Sequence, residues 1–153
     1  MNPAPVQRLD LVGPWKDGYG AMRAFSQTVA GAELDDGLQD LVRLRASQIN
    51  GCAYCIDMHT KDARHRGETE QRLYALSAWR DTPFFSEAER AALALTEAIT
   101  LLPDGVPDEV VDEAKAHFEP AAVAQLVFTI VAINAWNRIA VTARLPVGRY
   151  EPT

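Results

Sequence analysis

Residues 41–64, "LVRLRASQINGCAYCIDMHTKDAR", hold two helical segments separated by an abrupt stop. Leu34, Leu38, Leu41 and Ile49 form an apolar stripe at helical spacing, and Asn50-Gly51 are residues that end helices. Arg45 and Gln48 fall on the same stripe, so they must find polar partners inside. A new helix starts at the cysteines. A helix turns about 100° per residue, which puts Cys52, Cys55 and His59 in one sector of about 60° over two turns.

Working outward, nearly every segment keeps helical spacing, and no run alternates apolar and polar residues as a half-buried strand would. The spacing predicts helices over about Tyr19–Ala30, Asp35–Ile49, Cys52–Arg66 and Glu68–Trp79. After the loop "DTPFF", Ser86 and Glu89 form a capping box for a helix from Ser86 to about Leu101. Further helices run from Pro107 to about His117 and from Pro120 to about Thr142. Residues 1–16 carry three of the nine prolines and read as an extended arm. The expected fold is all-α: one compact domain, a bundle of about seven helices.

The seventh helix, "AAVAQLVFTIVAINAW", is apolar almost all round and should be covered on most sides, more easily with a partner subunit than alone. Asn134, Asn137 and Arg138 form a polar stripe on it, suited to hydrogen bonding at a helix end or an interface.

The 153 residues suffice for one domain with a real core. Hydrophobic residues make up 48% and charged ones 24%, the profile of an ordinary globular protein. A net charge of −6 argues against general affinity for nucleic acid or anionic lipid. No signal peptide and no continuous apolar run of membrane-spanning length is evident, so a cytoplasmic protein with no membrane partner is expected. Two cysteines are too few for a disulfide framework, which favours catalytic, redox or metal-binding roles.

The spacing of the cysteines and histidine favours thiol chemistry. Cys52 and Cys55 can bridge across one helical turn, and the His59 imidazole can reach Cys55 from the position i+4. Free amides at a helix start stabilise a thiolate, and a neutral imidazole can take the thiol proton and then hold the thiolate as a cation. A thiolate that attacks a hydroperoxide becomes a sulfenic acid, which a second thiol condenses to a disulfide.

Three other readings compete: a zinc site, plain burial of two small residues, and a redox sensor without turnover. Zinc lacks an aligned fourth ligand, because His65 is rotated about 240° from His59. No metal or cofactor is expected. Asp62 could orient His59, although a surface pair with Arg66 is the commoner outcome at that spacing. Asp57 looks unconnected, and His65 and His117 have no evident partners. Asp40 lies on the flank of the preceding helix. It reads by default as a solvated aspartate that a tight turn at Asn50-Gly51 could bring towards the cysteines.

The segment 41–64, continued by "GETEQRLYALSAW", "FFSEAERAALALTEAIT" and "INAWNRIAV", resembles the AhpD-like alkylhydroperoxidases of the carboxymuconolactone decarboxylase superfamily. The resemblance implies an all-helical homo-oligomer, often a trimer or hexamer, that reduces hydroperoxides and is re-reduced by an external dithiol or protein thiol. It implies that Cys55 attacks, Cys52 resolves, His59 assists, and Asp40 stands at the position of the relay glutamate. Asp40 is shorter than that glutamate, and Tyr54 stands where AhpD has a histidine. The decarboxylase branch generally lacks the cysteine pair.

Overall fold

A computed structural model describes residues 6–152. Among these residues there are seven α-helices and no strand: α1 (Lys16–Ala30), α2 (Asp36–Ile49), α3 (Ala53–His65), α4 (Glu70–Ala75), α5 (Glu87–Thr100), α6 (Asp108–His117) and α7 (Pro120–Ala143). Side-chain caps fix several starts. Asp35 accepts from Leu38 N–H, Thr69 from Arg72 N–H, and Ser86 and Glu89 form the expected capping box.

The fourth segment departs from its expected helix over Glu68–Trp79. The chain leaves α-geometry at Ala75 and makes a 3-10 turn over Leu76–Asp81, with Ala78 at φ −122°. Side chains three apart eclipse in a 3-10 turn, so Leu76 and Trp79 can both enter the core there. In the core, Trp79 Nε1 donates to Glu97 Oε1 at 2.9 Å.

Helix α2 is the hub, packed against α3, α5 and α7. One side of it joins α5, α6 and α7 through Leu38, Val42, Leu95, Leu126 and Ile130. The other joins α3, α4 and the 3-10 turn through Leu41, Leu44, Leu73, Leu76 and Leu93. Each large side chain fully buried this way contributes roughly 1.5–3 kcal/mol. The polar pair on the stripe of α2 is satisfied: Arg45 Nε donates to Glu97 Oε1 at 2.7 Å and Arg45 Nη1 to Gln48 at 3.3 Å.

Helix α7 is the one described helix long and apolar enough to cross a membrane, but it packs against α1, α2, α3, α5 and α6. Its asparagines hydrogen-bond into the bundle. Asn134 and Asn137 both accept from Asn50 Nδ2 at 2.9 Å, Asn137 donates to Ser47 Oγ and Asn134 to Thr100 Oγ1. Phe128, Val131 and Val141 remain exposed on its outer side.

The segment before α1 lies along the end of α7, where Arg8 N–H donates to Ala143 O at 3.0 Å and Arg8 Nε to Thr142 O at 2.8 Å. Residues 1–5 of the expected arm lie outside the described residues.

Candidate active site

The turn between α2 and α3 places the cysteines. Asn50 caps α2, and Gly51 follows at φ +64°, a conformation that glycine adopts without steric cost. Gly51 N–H bonds back to Gln48 O and Cys52 N–H to Ser47 O, the double closure that ends a helix in a left-handed residue. Cys52 thereby completes the end of α2 and is also the N-cap of α3, its Sγ accepting from Cys55 N–H at 3.3 Å. Cys52 and Cys55 are joined as a disulfide and are almost fully buried.

The two sulfur-bearing residues face different spaces. Cys55 lines a cavity of about 310 Å³ together with His59, Tyr54 and Met58 of α3, Tyr19 and Arg23 of α1, Arg43 of α2, and Ile133 and Trp136 of α7. Tyr19 and Trp136 meet edge-on there, with ring centroids 5.6 Å apart. Cys52 lines a second cavity of about 210 Å³, bounded by Gly51, Val141, Arg144 and Val147.

His59 is buried, and its Nδ1 has no hydrogen-bond partner. The nearest carboxylate oxygen, Asp62 Oδ2, is 3.9 Å away, too far for a hydrogen bond. Burial, reinforced by the positive charges of Arg43 and Arg66, pushes the imidazole down to about 3. In the disulfide state the ring is therefore neutral, able to accept a proton. The cationic form expected from the sequence would have Asp62 as its nearest counter-charge, at 3.9 Å and without a hydrogen bond.

Asp62 does not make the surface pair with Arg66. Its carboxylate accepts from Tyr150 OH at 2.6 Å, and Arg66 turns instead to Asp40. Burial and this bond push the Tyr150 phenol up to about 12. Asp57 is not isolated either: it accepts from Lys61 and from Gly148 N–H, which holds the segment after α7 against α3. His117 pairs with Glu113 on the surface of α6.

Asp40 is 2% exposed, so the solvated reading is wrong. Its Oδ2 accepts from Arg66 Nη1 at 2.5 Å; its Oδ1 has no hydrogen-bond partner and lies 3.8 Å from Arg43 Nη1. Burial raises the carboxyl above its usual range, against the opposing pull of Arg66. Asp40 is not among the residues lining the cavity, and it adjoins the site through Arg43, which is. Among the described residues, Asp40 Oδ1 and His59 Nδ1 are the buried side-chain polar atoms without a partner. Such atoms are rare in folded proteins and concentrate where reactivity is needed.

Sequence reasoning missed Arg43, Arg23, Tyr19, Trp136 and Tyr150. Arg43 was legible in principle, three residues after Asp40 on one helix face. The others reach the site from other elements and leave no local signal. Among the described residues no group of three or more potential ligands could hold a metal ion.

These features define an all-helical protein with a C-x-x-C disulfide at a helix start and a buried histidine on the same helix. The chain belongs to the carboxymuconolactone decarboxylase family, whose model matches residues 17–98. Among similar proteins, YdfG of Bacillus subtilis (strain 168) is 44% identical over 136 residues, 88% of this chain and 92% of the relative. The Agrobacterium tumefaciens protein ATU0492, of unknown function and assigned to antioxidant defence as an AhpD, superposes with a TM-score of 0.88 at 36% identity. The match covers 97% of this chain and 99% of that one. The debrominase Bmp8 shares the fold at 22% identity, with a TM-score of 0.81 over 90% of this chain and 75% of its own. The chain is thus AhpD-like in family and in fold.

Proposed function

We propose that the protein is a thiol-dependent peroxidase that reduces hydroperoxides through a Cys52/Cys55 dithiol–disulfide cycle. The observation that carries this reading is the Cys52–Cys55 disulfide at the head of α3, with Cys55 opening on a cavity that it shares with the neutral His59.

In the reduced protein, His59 takes the Cys55 proton and the thiolate attacks the terminal peroxide oxygen. The O–O bond breaks, the alcohol leaves with a proton, and Cys55 becomes a sulfenic acid. Cys52 displaces water from that sulfur and forms the disulfide. An external dithiol or protein thiol then restores both thiols and is itself oxidised. Asp40 fits a positioning role, holding Arg43 and Arg66 close to the imidazole. The exposed Phe128 and Val131 on α7 support a homo-oligomer, a trimer or hexamer being what the family resemblance implies, and a purely monomeric sedimentation profile would remove that part.

The test is hydroperoxide consumption with a dithiol donor, comparing the protein with Cys55→Ser. Turnover should fall to the uncatalysed rate in the variant. Unchanged turnover would overturn the role of Cys55. A disulfide that forms once with peroxide but supports no repeated turnover would instead identify a redox-responsive binding protein.

A further inference from the structure

The cavity beside Cys55 is apolar on most of its surface, with Met58, Ile133 and Trp136 among its walls. Its charged groups are all of one sign. Arg23 and Arg43 line it, and no carboxylate does, in a protein whose net charge is −6.

Arg43 is a cation short of a counter-charge. Its side chain is 18% exposed, it donates to Gln39 Oε1 at 2.5 Å, and its nearest carboxylate oxygen is Asp40 Oδ1 at 3.8 Å. The other oxygen of that carboxylate is taken by Arg66. Two guanidinium groups thus share one carboxylate, and burial pulls the Arg43 pKa below its ordinary value. A half-desolvated cation facing a cavity is stabilised by an anion placed there. Arg23, exposed on α1 and in no salt bridge among the described residues, approaches the same cavity from another wall.

We infer that this cavity recognises an amphipathic carboxylate, with its apolar or aromatic body against Met58, Ile133 and Trp136 and its carboxylate between Arg23 and Arg43. On the peroxidase reading, on which this assignment of substrate rests, the preferred oxidant is a hydroperoxide of an aryl- or alkyl-carboxylic acid. A thiolate at Cys55 could satisfy Arg43 in its place, so the decisive measurement uses the disulfide form, which carries no thiolate.

Calorimetric titration of the oxidised protein compares 3-phenylpropanoate with its neutral amide, probes of one shape and different charge. The carboxylate should bind about tenfold to a hundredfold more tightly, the range of a charge-assisted hydrogen bond. Arg23→Gln, at an exposed helix position, and Arg43→Gln should each remove most of that preference. Equal binding of acid and amide, or a preference untouched by Arg23→Gln, overturns the inference.

The second measurement is kcat/KM for a carboxylate-bearing aryl hydroperoxide relative to cumene hydroperoxide. Their ratio should favour the acid and fall in Arg23→Gln through KM. If both hydroperoxides are consumed alike and the acid binds no better than the amide, the inference falls and the peroxidase reading stands. If neither is consumed while the acid still binds more tightly, the anion site stands and the peroxidase reading falls.

Discussion

Two acidic side chains, Asp40 on α2 and Glu97 on α5, are both drawn into the protein beside arginines, and their pKa values move in opposite directions. Burial pushes the Glu97 carboxyl up, but hydrogen bonds from Arg80, Trp79 and Arg45 outweigh it and hold the group below its usual range. Asp40 is the more deeply buried, 2% exposed against 13% for Glu97, has one strong donor in Arg66 and leaves an oxygen unpaired, so burial prevails. The count of donors set against the depth of burial, rather than the presence of an arginine, decides whether an inward-facing carboxylate is a strut or a group free to exchange charge.

The largest effect should come from the strut. Glu97→Ala strands Arg45 and unties the 3-10 turn from α5, and should cost about 3 kcal/mol in urea unfolding. Loss of less than about 1 kcal/mol would break the contrast, since Glu97 would then be as dispensable as a surface charge.

A second effect concerns pH. The folded imidazole of His59 stays neutral down to about pH 3, whereas the unfolded chain takes up that proton near 6.5. The unfolded state therefore binds more protons between these values, and stability falls as pH falls below 6.5. From pH 7 to pH 5 the loss assigned to His59 is about 2 kcal/mol, and His59→Gln should flatten that part of the unfolding curve. Glu97 has the same sign but acts at lower pH, as its carboxyl protonates below about 4.5, and Asp40 has the opposite sign. An unchanged slope in His59→Gln would place the acid sensitivity elsewhere.

A smaller effect belongs to Asp40. Asp40→Asn should leave unfolding nearly unchanged but slow peroxide turnover about tenfold and shift the pH profile of Cys55 alkylation. If instead it destabilises the fold as Glu97→Ala does and leaves that profile in place, the two carboxylates are alike. The smallest effect is expected for Tyr150→Phe, which frees Asp62 from its phenol. A cost within about 1 kcal/mol, with a modest change in the pH profile of turnover, is the outcome to check.

The helices around the site were legible because their signals are local. Asn50-Gly51 ends α2, Ser86 with Glu89 starts α5, and helical spacing brings Cys55 and His59 to one cavity, while Cys52, expected on the same face, is the extended N-cap and lines the other cavity. The break at Ala75 was not, because the pull of Trp79 towards Glu97 is a tertiary contact across 18 positions. Asp40 looked solvated for the same reason: Arg66, 26 residues on, supplies the partner that makes its burial tolerable. Asp62 looked tied to Arg66 because the sequence separates it from Tyr150 by 88 residues. Spacing within one helix was readable; the choice among rival partners on other elements was not.

The N-cap of α3 has a consequence for redox equilibrium. In the oxidised protein, the Cys55 N–H is met by a neutral disulfide sulfur, a weak acceptor. On the proposed cycle the reduced protein carries its thiolate at Cys55, in the first turn of α3, where the positive end of the helix stabilises the charge. The helix start therefore holds the reduced state more firmly than the oxidised one. Linkage turns that difference into reduction potential, about 30 mV upward for each 1.4 kcal/mol or so. On the proposed cycle, the turn that closes α2 on Ser47 O through Cys52 N–H thus also bears on how readily a donor would recharge the pair.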